Sequence, residues 1–305
     1  MKKVLTLLRS TPVRVGFLVI ALAAAVYAVV KEWDSIVAAA TGMSPWTLVG
    51  AMAASLVYVF LTMLAWRALL ADMGTRLPMR PSFSVFFVSQ LGKYLPGGVW
   101  NILAAAEMGA DHEIPRRRSV SVMLVTVIVS IVTGLGLAVA TMPFAPDALS
   151  SSYGWTVFAL PVFIIALLPP VLNRILAVAL RVTGRPALEH AVSWRGIGVC
   201  VAWTLLSWIL AGVQVWLLAA GLGMTSSPQT LALCIGGYAM AWTVGFLVVF
   251  VPAGAGVREA VLAIVLAGSL SRGGVVAVVL LSRVVLTVAD FAMGGSGLLL
   301  ARRKR

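Results

Sequence analysis

The chain has 305 residues, 61% hydrophobic and 11% charged, with a mean hydropathy of +1.04 and a formal net charge of +13. Soluble domains have roughly a quarter of their residues charged, so a water-soluble fold is excluded. The 23 lysines and arginines fall mostly in short loops beside apolar runs, a pattern of topology signals and anionic headgroups rather than of nucleic-acid binding. Cys200, Cys234, His112 and His190 are scattered without ligand spacing, so no metal, cofactor or disulfide framework is expected.

In chain order, Lys2, Lys3, Arg9 and Arg14 precede the apolar run 15–30. That basic region is long for a signal peptide, so a retained first helix is expected over 14–45, with an external interfacial segment at 31–45. Further full spans are expected near 46–66, 119–142, 155–173, 197–220 and 274–300, each close to the roughly 20 residues a crossing needs. Trp33, Trp46, Trp155, Trp194 and Trp203 read as interfacial anchors near span ends.

Two apolar segments, 81–110 and 230–270, decide the architecture. A single crossing by 81–110 would put Arg67, Arg76 and Arg80 on one face and Arg116, Arg117 and Arg118 on the other, against the positive-inside rule. A re-entrant hairpin keeps both loops inside, with its two halves too short to span, broken at Pro96, Gly97 and Gly98. The same treatment breaks 230–270 at Pro252, Gly254 and Gly256, entered from outside after the uncharged loop Gly221 to Gln229. It places 18 basic residues inside, Lys31 and Arg272 outside, and Lys93, Arg258 and Arg283 within the membrane. Arg174, Arg181, Arg185 and Arg195 are inside as topology determinants, and Glu107 and Asp111 balance Arg116 to Arg118 near the same face.

The expected fold is therefore an all-α polytopic membrane protein: about six full transmembrane helices plus two oppositely oriented re-entrant broken hairpins. It forms one integral membrane domain over 1–305. Repeat one covers 46–142, a connecting helix and cytoplasmic loop cover 143–196, repeat two covers 197–300, and a basic cytoplasmic tail covers 301–305. The repeats read as inverted copies. Their breaks match in kind, Tyr94-Leu95-Pro96-Gly97-Gly98 against Phe250-Val251-Pro252-Ala253-Gly254. Irregular backbone is tolerated at membrane depth only where protein or a wet cavity satisfies it, and secondary transporters place discontinuous helices at the interface of such repeats.

Gly92-Lys93-Tyr94-Leu95-Pro96-Gly97-Gly98-Val99-Trp100 and Val251-Pro252-Ala253-Gly254-Ala255-Gly256-Val257-Arg258-Glu259 together resemble a flippase-like family. It is named after the transmembrane region of lysylphosphatidylglycerol synthase. The resemblance runs from about residue 14 to 300. It implies a multi-pass protein of a bacterial or archaeal cytoplasmic membrane that translocates phospholipid or polyprenyl-linked lipid. The chain ends at Arg305 after its last span, so the synthase activity of a following soluble domain is not implied.

Charged groups inside a bilayer are costly and pair or face a cavity. Lys93 can offer an ammonium to a phosphate, Tyr94 and Asn101 hydrogen bonds, and Trp100 a surface for an acyl or prenyl chain. Arg258 can grip a phosphate with its planar fork. Arg283 and Asp290, two turns apart on one face, are expected to pair with Glu259 and Arg258 respectively. Membrane lipids and anionic headgroups are the expected partners, with envelope-assembly enzymes as further candidates. No Gly-x-x-x-x-Gly-Lys-Ser/Thr loop occurs, so transport would be downhill or ion-coupled, with Glu259 or Asp290 as proton carriers. A non-catalytic partner of envelope glycan or lipid assembly, a small-solute transporter, and a lipid-phosphate enzyme using Asp111 and Glu113 remain alternatives, the last the least favoured; no catalytic residue is expected.

Overall fold

The structure, a computed structural model, describes residues 33–95, 99–144, 154–182, 191–248 and 254–302. The expected first helix at 15–30 and the break residues Pro96, Gly97, Gly98 and Pro252 lie outside the described residues. Helices α1 (Trp33–Gly42), α2 (Pro45–Asp72), α3 (Met79–Gln90), α4 (Trp100–Ala110), α5 (Arg116–Thr141), α6 (Leu160–Ala166) and α7 (Pro169–Val182) make the first part. Helices α8 (Trp194–Gly221), α9 (Pro228–Leu247), α10 (Val257–Leu266) and α11 (Arg272–Arg302) complete it. The protein is all-α and polytopic: α2, α8, α9, α11 and α5 with its short extension to Phe144 are each long and apolar enough to cross a membrane.

Local chemistry sets these helices. Pro45 and Pro228 stand at helix starts, where a missing N–H costs nothing. Ser227 and Thr230 bond each other's backbone N–H across the first turn of α9. Inside the spans, Ser55, Thr126 and Thr243 hydroxyls donate to carbonyls four residues back, so their polar atoms are satisfied without water. Small residues let helices approach: Gly212 of α8 meets Ile235 of α9, and Gly236 of α9 meets Thr141 of α5.

The packing has two-fold character. Elements α2, α3, α4 and α5 correspond to α8, α9, α10 and α11 in order, and α2 and α8 both have 28 residues. The most extensive contact joins α2 to α8, and the packing of α3 on α11 has its counterpart in that of α9 on α5. The α2–α8 pair is antiparallel. Asp72 at the end of α2 accepts from Ser193 N and Oγ at 2.7 and 2.5 Å, while Gly221 at the other end of α8 sits against Thr47 and Met43. Corresponding helices point oppositely, so the repeats are inverted with respect to the spanning direction.

Each hairpin enters and leaves at one end of the molecule, by the same geometry. Arg118 Nη1 donates to Thr75 Oγ1 at 2.7 Å, joining the loop after α4 to the loop before α3 at one end of the molecule. Ser84 Oγ donates to the Gly297 carbonyl at 3.0 Å and Gly294 meets Leu91, so α11 runs antiparallel to α3 and starts at the opposite end. The α9–α10 hairpin enters and leaves at that opposite end; Gly237 meets Val265 along it and Gly245 meets Arg258 near its tip. Arg76, Arg80, Arg116, Arg117, Arg118 and Arg195 lie at or near the Asp72 end, and Arg272 at the other.

Three expectations change. The segment 155–173 is not one straight helix: Gly154–Ala166 and Pro169–Val178 pass together as a possible sixth span but bend by 70° at Leu167 and Leu168. Pro169-Pro170 removes consecutive backbone donors there and restricts the residue ahead of it. In the second hairpin only one arm is too short to span: α9, at 20 residues, is itself long and apolar enough to cross, whereas α10 has only 10. Trp203 is the tenth residue of α8 and packs partly buried on the core, whereas Trp46, Trp155 and Trp194 are exposed at segment ends. In the 31–45 segment, α1 packs on α11.

Candidate functional site

Where the hairpin tips meet α2, α5 and α11 there is a cavity of about 210 Å³. Tyr58, halfway along α2, lines it, as do Lys93 and Tyr94 in the turn after α3. The 28 residues of α2 extend about 42 Å at 1.5 Å per residue, so Tyr58 marks mid-depth. The α5 residues in the wall, Met123 to Ser130, belong to its first fifteen, which carries the cavity from mid-depth toward the Asp72 end.

Hairpin one reaches across to α11. Lys93 Nζ lies 2.6 Å from Asp290 Oδ2, and Tyr94 OH donates to the same oxygen at 2.6 Å. The Tyr94 ring stacks on Phe291 at 5.3 Å. Asp290 is 8% exposed and Lys93 34%, so the carboxylate is enclosed while the ammonium keeps access to the cavity. A buried carboxylate is costly without such partners.

The second hairpin is tied to α11 by Arg283 Nη1, 3.5 Å from Glu259 Oε1. Glu259 Oε2 also accepts the Gly256 N–H, a negative group at the start of its own helix. Gly254 and Gly256 have φ of 66° and 84°, in the left-handed region that favours glycine, and Gly254 packs on the Gly245 backbone. These turns aim Arg258 at Tyr238 of α9, to whose hydroxyl it donates and whose ring centre lies 4.5 Å from the guanidinium carbon. Among the described residues Arg258 makes no ion pair.

Lys93, Tyr94, Asn101, Arg258, Arg283 and Asp290 thus share one wall. Glu259 stands behind it on Arg283, and Trp100 is exposed on the first turn of α4, outside the lining. The expected Arg283–Glu259 pair is present. The expected Arg258–Asp290 pair is not, because hairpin one presents a nearer cation to Asp290. The sequence reading missed Tyr58, Tyr238 and Trp242, all in the wall. Tyr58 and Tyr238 are 6.1 Å apart, and Trp208 lies 5.2 Å from Trp242. The available signal was depth: Tyr58 and Tyr238 sit mid-span, away from the interfaces where tyrosines usually gather. Among the described residues no group of His, Cys, Asp and Glu could hold a metal ion. Cys200 and Cys234 are both buried.

Inverted repeats, two broken hairpins and a charged cavity at mid-depth define a multi-pass membrane protein with a polar centre between its halves. The chain belongs to the family described as the lysylphosphatidylglycerol synthase TM region, whose profile matches residues 14–294. That membership links it to lipid handling. No curated protein matches the chain.

Proposed function

We propose that this protein translocates an anionic lipid, a phospholipid or a polyprenyl-linked lipid, across the cytoplasmic membrane without bond chemistry. The observation that carries the reading is the mid-depth cavity, with Lys93 and Arg258 in one wall and a hairpin tip from each repeat. Basic groups there can hold a headgroup phosphate, while Leu95, Val99, Trp100 and Phe291, all exposed around the first tip, offer an apolar surface for the tails. In this reading the Asp72 end and both termini face the cytoplasm, because the basic loops gather there.

The test is lipid scrambling in proteoliposomes, using short-chain phospholipids and polyprenyl phosphates, with wild type beside Lys93→Ala and Arg258→Ala. Folded variants are expected to move anionic lipid far more slowly than wild type. A wild type that moves no lipid would move the reading to a non-catalytic partner of envelope assembly. Orientation is checked by labelling single cysteines at Thr75 and Ser226 in intact cells; labelling of Thr75→Cys from outside would overturn it.

A further inference from the structure

The cavity wall has a definite charge. Three cations approach it, Lys93, Arg258 and Arg283. Lys93 is neutralised by Asp290 and Arg283 by Glu259. Arg258 touches the neutral hydroxyl and ring of Tyr238, and the carboxylates of Glu259 and Asp290 act on it only from beyond ion-pair distance, so among the described residues three cations face two carboxylates and the site carries one positive charge in excess. Neither carboxylate is idle: Asp290 takes Lys93 and Tyr94, and Glu259 takes Arg283 and the Gly256 N–H.

A net charge at membrane depth is costly unless its occupant matches it. A dianion would need a second cation, available only by separating Lys93 from Asp290 or Arg283 from Glu259. The ammonium of a zwitterion would meet no idle carboxylate. A phosphodiester with no cationic group supplies one negative charge and two oxygens suited to a guanidinium fork. We propose that the cavity selects headgroups of a single net negative charge, with Arg258 as their anchor. This rests on the translocase reading and narrows its substrate class.

The experiment compares scrambling of short-chain phosphatidylglycerol, phosphatidylcholine and phosphatidic acid by the reconstituted full chain, above pH 8 so that phosphatidic acid is largely dianionic. Wild type is expected to move phosphatidylglycerol about tenfold faster than either of the others, the scale of one charge-assisted hydrogen bond. Arg258→Gln is expected to abolish the preference and Arg258→Lys to retain most of it. Asp290→Asn frees Lys93, raises the wall charge by one, and is expected to shift the preference toward phosphatidic acid. Gel filtration and thermal unfolding show which variants are folded.

Equal rates for the three lipids in wild type would overturn the inference and leave translocation standing. Should no lipid move, native mass spectrometry of the chain with an equimolar mixture of the three separates the two ideas. Selective retention of phosphatidylglycerol, lost in Arg258→Gln, would keep the charge class while the translocase reading falls. Unselective retention, or none, overturns both.

Discussion

The two hairpins share a topology and differ in where their charges are satisfied. Hairpin two is held by a pair internal to its own repeat, Arg283 on Glu259, with Gly212 letting α9 lie close on α8. Hairpin one is held across the repeat boundary, by Lys93 and Tyr94 on Asp290. By position in the two 28-residue helices, Gly212 corresponds to Met63, and α3 touches α2 far less than α9 touches α8. Hairpin two also packs on the other repeat, where Gly236 of α9 meets Thr141 of α5, so the difference lies in the ion pairs. On the translocase reading, motion between the repeats would break the pair that crosses the boundary and leave the internal one intact.

The largest expected effect attacks that difference directly. In a chain with Cys200 and Cys234 replaced by alanine, a disulfide between Leu91→Cys and Gly294→Cys ties hairpin one to α11 and should stop transport until reduced. A disulfide between Gly237→Cys and Val265→Cys lies within repeat two and should leave transport unchanged; equal inhibition by both would remove the distinction. Next, Gly212→Leu drives a side chain into the Ile235 backbone and should cost about 3 kcal/mol or more. Gly198→Ala on the same helix meets no neighbour and should be neutral, both read by thermal unfolding in detergent.

Smaller again, Glu259→Gln removes the carboxylate that Arg283 meets at 3.5 Å. Each group is about a fifth exposed, so the loss should fall near 2 kcal/mol, below the range for fully buried pairs. The double variant with Arg283→Met should recover part of it in a double-mutant cycle. The smallest effect belongs to Asp72→Ala, which removes two hydrogen bonds at the exposed start of α8 and should cost about 1 kcal/mol.

The spans near 46–66, 119–142, 197–220 and 274–300 were legible because hydropathy and loop arginines are local signals. The site was legible only as far as its charges, since Lys93, Arg258, Arg283 and Asp290 stand out against apolar surroundings. Which charge meets which was not. The spacing of Arg283 and Asp290 puts them on one face of α11, but the cation that reaches Asp290 comes from 197 positions earlier in the chain. Tyr58 and Tyr238 were hidden for a different reason: an aromatic in an apolar helix satisfies the same pattern as a leucine. The bend at Leu167 had a visible cause in Pro169-Pro170, outweighed by an apolar run that continues through it.

The inverted relation of the repeats has a consequence for the state not seen. The cavity extends toward the Asp72 end, and hairpin one and hairpin two pack differently against the two-helix spine of α2 and α8. On the translocase reading, exchanging those poses, each repeat taking the conformation of the other, would reflect the cavity to the opposite end without altering the fold. The asymmetry between two copies of one plan is then the molecule's description of its own second conformation.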